Sequence, residues 1–283
     1  MKTRDLFKEK QVFSFEVFPP KTSSSIESIY NTIDELTTLQ PDFISVTYGA
    51  AGANDTTTID IASDIKNRRA TESVAHLPGI NLSRDDAARI LARLQQNNIE
   101  NVLALRGDIT PGTVSQGDFL YANELVSFIK EHGDFNVIGA CYPEGHTESD
   151  NIEDDLAHLK NKVDAGVDHL LTQLFFDNCF FYDFSDKCRK MGIAVPIEAG
   201  IMPVLSKAQI ERMVALSGAT IPHALSTLVA RYGDDPTSMF DAGVDYACTQ
   251  IADLQANGVD GVHLYTMNNP LTAKTIMRNL GMM

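Results

Sequence analysis

Eight short apolar runs recur along the chain, at residues 13–18, 43–48, 72–77, 101–105, 136–142, 169–176, 196–201 and 261–265. Most are rich in Val, Ile, Phe or Ala. Several are apolar at nearly every position, as strands covered on both faces of a parallel sheet are. Between the runs the apolar positions change to spacings of three and four. The stretch 25–39 places Ile26, Ile29, Ile33, Leu36 and Leu39 on one helical face. Ser83 reads as an N-cap with Asp85 and Asp86 in the first turn, ahead of a helix that buries Ala87, Ile90, Leu91 and Leu94. Segments 121–130, 151–165, 180–191, 207–216 and 241–256 continue the alternation, and 279–283 ends the last helix.

Strand followed by helix, repeated at about 30 residues per unit, demands a parallel sheet. Eight such units in 283 residues fit a closed (β/α)8 barrel better than the runner-up, an open doubly wound sheet. A longer gap before the eighth strand holds an extra helical segment, 221–232. No linker, low-complexity tract or composition break divides the chain, so one domain over residues 1–283 is expected.

Composition narrows the function classes. Hydrophobic residues make up 43% and charged residues 22%, enough for a sizeable core. The net charge of -15 repels phosphate backbones, so nucleic acid is not an expected partner. An anionic small molecule needs only a local cation or helix N-terminus. Cys141, Cys179, Cys188 and Cys248 show no CxxC spacing, which favours plain thiols in a reducing compartment. The N-terminus lacks a signal-peptide apolar region, and no run approaches the ~20 apolar residues of a membrane span. A cytoplasmic protein with no membrane partner is expected.

The first run carries the sharpest chemical signal. Phe13, Phe15 and Val17 alternate with Ser14, Glu16 and Phe18 until Pro19-Pro20 stops the strand. A carboxylate buried unpaired among aromatics costs several kcal/mol, which favours the neutral acid, a proton donor. The alternative is a Glu16 on a wet strand face or paired with a Lys or Arg.

Barrel chemistry belongs to the C-terminal strand ends. There the sequence places Glu16 and Phe18; Thr47-Tyr48-Gly49; His76; Arg106-Gly107-Asp108; Tyr142 through His146; Thr172-Gln173; and Tyr265-Thr266. Polar, titratable and aromatic residues on one rim suggest a functional mouth. No GxGxxG or GxxxxGK[ST] follows a strand, no HExxH or metal-spaced carboxylate cluster is present, and no GxSxG occurs. No metal is expected. An acid, hydrogen-bonding side chains and flat aromatics suit a planar heterocyclic cofactor and a hydride or proton reaction.

Four motifs carry a family resemblance: Ser14-Phe15-Glu16-Val17-Phe18-Pro19-Pro20, Val46-Thr47-Tyr48-Gly49, Leu103-Ala104-Leu105-Arg106-Gly107-Asp108, and Lys162-Val163-Asp164-Ala165-Gly166 leading to Thr172-Gln173-Leu174-Phe175-Phe176-Asp177. Tyr142-Pro143-Glu144-Gly145-His146 and Tyr265-Thr266-Met267-Asn268 add to them. Together, in order, they resemble the bacterial methylenetetrahydrofolate reductases.

The resemblance implies a catalytic barrel without a regulatory extension, holding FAD and using NADH or NADPH as co-substrate in one-carbon and methionine metabolism. It implies a homo-oligomer. It assigns Glu16 and Asp108 to catalysis, and Gln173, Asp108 and Tyr265 to the folate. It assigns Thr47, His76, Arg106, Gly107, Asp108, Tyr121, Ala122, Tyr142, His146, Asp155 and Lys162 to the flavin. Arg106 and Lys162 would be the cations for its pyrophosphate. Two places depart from the family pattern. Asn269 stands where the pattern has an Arg linked to the folate glutamate tail, and 221–228 lacks the aromatic that stacks on substrate or nicotinamide. The rival readings are another flavin-dependent barrel, such as a proline-dehydrogenase-like enzyme, and a non-catalytic barrel acting as a partner subunit.

Overall fold

A computed structural model describes residues 1–20, 26–48, 55–107 and 117–283. Eight parallel strands close into a barrel in sequence order: β1 (Val12–Val17), β2 (Phe43–Val46), β3 (Glu72–Pro78), β4 (Asn101–Leu105), β5 (Asn136–Cys141), β6 (His169–Thr172), β7 (Ile197–Ile201) and β8 (Gly261–Tyr265), which pairs back with β1. The described helices are α1 (Ile26–Thr37), α2 (Asp55–Arg68), α3 (Arg84–Gln96), α4 (Ala122–Glu131), α5 (Ile152–Asp164), α6 (Asn178–Lys190), α7 (Lys207–Ser217), α8 (His223–Tyr232), α9 (Pro236–Ala256) and α10 (Pro270–Asn279). The closed barrel and the extra helix α8 before β8 match the sequence expectation, and the open sheet is excluded. Of the helix expected over 25–39, Ser25 lies outside the described residues.

Local sequence explains the helix starts. Ser83 Oγ accepts from Asp86 N at 3.1 Å and Asn151 Oδ1 from Asp154 N at 2.9 Å. Each satisfies an amide that the first turn leaves unpaired. Helix α2 was not apparent in the pattern, because its Thr-rich start has poor helix propensity. It is held by tertiary packing through Ile59, Ile61, Ala62 and Ile65, all buried. Strand β6 stops at Thr172, short of the apolar run that continues to 176. The Phe175 and Phe176 carbonyls accept from Gln250 Nε2 and Tyr246 Oη of α9, at 3.0 and 2.6 Å, so this backbone is satisfied off the ladder.

Three apolar clusters result among the described residues. The largest lies between strands and helices. A second gathers Leu174, Phe176, Met202, Val204, Ile210, Leu225 and Met239 beyond β6 and β7 and against α7, α8 and α9. The smallest fills the barrel with Val12, Phe43, Val74, Leu103, Ile138 and Leu171. Polar residues are also buried, including Ser14, His76, Asn101, Asn136, His169, Glu198 and His263. A short 3-10 turn, Thr3–Lys8, covers the N-terminal end of the barrel. Thr3 N donates to Asn101 Oδ1 at 2.9 Å, Asn136 Nδ2 donates to Thr3 Oγ1 at 2.8 Å, and Arg4 pairs with Asp168 at 2.5 Å. The Phe7 ring packs 4.8 Å from the His169 ring. With this end covered, the opposite mouth is the one left for ligands.

Burial pushes His169 down to about 3, against 6.5 for an ordinary imidazole. The folded state keeps it neutral while the unfolded chain takes up a proton below 6.5. Its share of stability is therefore present above that pH and lost as pH falls toward 3. Between pH 6.5 and 5, His169→Leu is expected to lose about 2 kcal/mol less stability than the parent. Urea unfolding at the two pH values checks this; parallel losses would contradict it.

Candidate active site

Side-chain alternation builds the site. Ser14 and Glu16 share one face of β1, and His263 and Tyr265 share one face of β8. The register sets Ser14 beside His263, and Glu16 beside both Tyr265 and Ser45. Glu16 thus reaches the floor of a cleft at the C-terminal ends of the strands, with a volume of about 330 Å³. Its Oε2 lies 3.6 Å from His76 Nε2 and 3.7 Å from His263 Nε2. Burial pushes His76 down to about 4, against the pull of Glu16, so its ring is neutral at pH 7. The Glu16 side chain is 17% exposed. It therefore meets two imidazoles at the base of the cleft, rather than the wet face or the Lys or Arg of the alternative reading.

The loop after β8 fixes this geometry. Thr266 Oγ1 donates to the Glu16 carbonyl at 2.6 Å. Asn268 accepts from Phe18 N at 3.0 Å and donates to Phe18 O at 2.9 Å, clamping the chain just past Glu16. Met267 and Asn268 adopt left-handed φ of 53° and 55° to make that turn. Asn269 N-caps α10, accepting from Thr272 N at 3.4 Å.

Around the cleft the structure brings together Glu16, Thr47, His76, Arg106, Gly107, Tyr142, His146, Gln173 and Tyr265 from the sequence expectation. Arg106 forms a two-pronged ion pair with Glu148, at 2.5 and 2.8 Å, and holds that carboxyl below its usual range. Gly107 has φ +88°, and a Cβ there would sit 2.5 Å from Ile80 Cγ2, so only glycine fits this turn. His146 Nδ1 accepts from Glu148 N at 3.1 Å, which leaves the proton on Nε2, and its ring meets the Tyr142 ring edge-on at 4.6 Å. Gln173 uses its Oε1 to accept from Leu174 N at 2.8 Å, so its NH2 is the group available to a ligand. Tyr265 donates to the Thr172 carbonyl at 2.8 Å, and burial pushes its phenol well above the ordinary value.

Four expected cofactor residues do not line the cleft. Tyr121 precedes α4 and is exposed, with Ala122 next to it. Asp155 sits in the first turn of α5 and accepts from Ser149 Oγ at 3.2 Å. Lys162, in the last turn of α5, donates to the carbonyl of cleft-lining Ala140 at 2.6 Å, and burial pushes its ammonium down. Asp108 lies outside the described residues. Thr172, expected at the rim, stands in the wall. Residues the sequence reading missed support the site from beneath: His263 and Ser14. Their signal was a polar side chain two positions from a rim residue within an apolar strand.

A closed barrel whose mouth combines a carboxyl, imidazoles, an arginine fork and aromatic walls defines a small-molecule enzyme of the (β/α)8 class. The family model described as methylenetetrahydrofolate reductase matches residues 2–281. The chain is 37% identical over 268 residues to 5,10-methylenetetrahydrofolate reductase of Pectobacterium carotovorum, covering 95% of this chain and 89% of that protein. The Escherichia coli enzyme of the same name is also 37% identical, over 95% and 90%. The fold is shared with an uncharacterized Clostridium thermocellum protein that binds two copies of 5-methyl-5,6,7,8-tetrahydrofolic acid, at TM-score 0.63 and 14% identity, covering 97% and 98% of the two chains. This chain belongs to the methylenetetrahydrofolate reductase family.

Gly200 of β7 makes room for Tyr265. A Cβ there would lie 2.5 Å from the Thr172 carbonyl and 2.6 Å from the Tyr265 hydroxyl. Gly200→Ala is expected to displace the phenol and lower stability by about 1–3 kcal/mol. Combining it with Tyr265→Phe should recover part of that loss. Chemical denaturation of the single and double variants checks the coupling; strictly additive losses would contradict it.

Proposed function

We propose that this chain reduces 5,10-methylenetetrahydrofolate to 5-methyltetrahydrofolate with Glu16 as the proton donor. The observation that carries the reading is Glu16 at the cleft floor, within 3.7 Å of two imidazoles, in a barrel of this family. Glu16 in its acid form donates a proton to folate N10. The five-membered ring opens and the one-carbon unit becomes an iminium at N5. Hydride addition then completes the methyl group.

A flavin suits the residues present. His76 Nε2 is buried with no hydrogen-bond partner, Gly107 gives a left-handed turn that bares backbone, and Tyr142 and Tyr265 offer flat faces. Thr47, His76, Arg106, Gly107, Tyr142 and His146 would hold it, with Tyr121, Ala122, Asp155 and Lys162 reaching its outer parts. Held by these residues, a flavin would supply the hydride chemistry that links reduced nicotinamide to the folate. Arg106 would exchange Glu148 for the pyrophosphate, an equally two-pronged anion. Gln173 and Tyr265 orient the pterin. On family grounds Asp108 would stabilise the iminium cation electrostatically. On family grounds NADH is the preferred donor, and the enzyme is a cytoplasmic homo-oligomer.

Glu16→Gln removes the acidic proton with almost no change of shape. The folate half-reaction is expected to slow about 10²–10⁴-fold, while nicotinamide still reduces the bound flavin. Stopped-flow measurement of each half-reaction separates the two; equal losses in both would make Glu16 structural. Asp108→Asn is expected to weaken folate binding about tenfold and shift the flavin potential, with the flavin retained. Unchanged affinity and potential would remove Asp108 from the site.

A further inference from the structure

Beneath Glu16 the barrel holds a second carboxyl in line with it. Glu198 on β7 is wholly buried, and its Oε1 accepts from Ser14 Oγ at 2.5 Å. Ser14 Oγ also lies 2.5 Å from His263 Nδ1. On its other side His263 Nε2 faces Ser45 Oγ at 3.3 Å and Glu16 Oε2 at 3.7 Å. Glu198 Oε2 is buried with no hydrogen-bond partner. An ionised carboxylate with a bare oxygen in the interior is costly, whereas the neutral acid tolerates it.

The hydroxyl of Ser14 has one proton, so the chain has two consistent arrangements. In one, Ser14 donates to an ionised Glu198, His263 donates Nδ1–H to Ser14, and bare Nε2 faces a protonated Glu16. In the other, Glu198 is the acid and donates to Ser14, Ser14 donates to Nδ1, and Nε2–H faces an ionised Glu16. The two hold the same number of protons and differ only in which carboxyl owns one.

We propose that Glu198, Ser14 and His263 form a proton relay that resupplies Glu16 after it has protonated the folate. The inference rests on the reading of Glu16 as the acid. In the step, the Glu198 proton passes to Ser14 Oγ, the Ser14 proton to His263 Nδ1, and the His263 Nε2 proton to Glu16 Oε2. Three bonds to hydrogen break and three form, no electrons leave the chain, and Glu198 ends as the carboxylate. The reverse sequence recharges it once Glu16 takes a proton from water at the open mouth. The gap between Nε2 and Glu16 closes by under about 1 Å to reach hydrogen-bond length, a tightening that substrate binding commonly brings.

The surroundings suit a reservoir near neutral pH. Burial, opposed by His263 and the Ser14 hydrogen bond, pushes Glu198 up to about 7. Asp42, itself paired with Lys10 at 2.5 Å, adds to the rise. The Tyr265 phenol also faces Glu198, and His76 and His169 face His263. Both histidines are pushed down by burial, so neither competes for the proton at pH 7. Ser14, His263 and Glu198 are positioning residues, because none of them lines the cleft.

The test compares Glu198→Gln, Ser14→Ala and Ser14→Thr with the parent. In the folate half-reaction, Glu198→Gln and Ser14→Ala are expected to slow the rate about tenfold at pH 8 and little at pH 6, moving the alkaline limb about one pH unit toward acid. Ser14→Thr, which keeps the hydroxyl, should restore the parent profile. Infrared titration of the protein without ligands gives a second readout. The parent should show a buried carboxylic acid ionising near neutrality, a signal absent in Glu198→Gln. An unchanged pH profile in both disabling variants, or a loss equal at every pH, would overturn the relay. A Glu16→Gln protein that still reduces the folate would overturn the acid assignment itself. If Ser14→Ala fails to fold, the near-isosteric Glu198→Gln decides by both readouts.

Discussion

A single carboxyl group held between two imidazoles at the floor of a closed barrel is the constraint around which this molecule is arranged. Glu16 comes from β1, His76 from β3 and His263 from β8. Only closure of the sheet between β8 and β1 brings the last of these beside the first. A slip of one residue in that pairing would turn Ser14 and Glu16 out toward the helices and bring Phe13 and Phe15 inward. The chemistry and the strand register are therefore set by the same pattern. The post-β8 turn secures it by grasping both backbone groups of Phe18 through Asn268.

The barrel interior has two layers with different purposes. Toward the covered end Val12, Phe43, Val74, Leu103, Ile138 and Leu171 pack together, with the His169 ring against Phe7 and Phe43, and Asn101 and Asn136 bound to Thr3 of the first turn. Toward the open end the inward positions become polar, and they are joined to one another: Ser14 meets both Glu198 and His263, and Glu16 lies beside His263 and His76. Burying such groups is unfavourable one at a time and tolerable as a connected set, because each desolvated partner is offset by a neighbour. Glu198 Oε2 and His76 Nε2 are left without hydrogen bonds, and these are the places where the arrangement is least satisfied. Orphaned groups of this kind call for an explanation, and a role in catalysis is one.

The sequence revealed the fold in proportion to how far local pattern and global structure agree. The runs at 101–105 and 261–265 coincide with β4 and β8, and the N-cap Ser83 falls where the spacing placed it. The overlong sixth run has a tertiary cause, since side chains of α9 take its carbonyls. Helix α2 escaped notice because its stability comes from packing rather than propensity. At the site, residues at strand ends were legible because the barrel sends every strand end to the same mouth. Glu198 and His263 were not, because alternation alone does not say which polar residue within an apolar strand faces inward. Tyr121, Ala122, Asp155 and Lys162 were assigned through family resemblance, and they stand outside the cleft that the described residues form.

Under the proposed function a flavin and a folate exchange hydride at the mouth of this barrel, with the proton supplied from below. The most direct measurement is the visible spectrum of the purified protein during anaerobic titration with 5-methyltetrahydrofolate, which runs the folate half-reaction backward. A bound-flavin spectrum that bleaches on addition of the folate, and recovers with 5,10-methylenetetrahydrofolate, is the predicted result. A protein that carries no flavin after reconstitution with FAD, or whose flavin stays oxidised at saturating methyltetrahydrofolate, would contradict it.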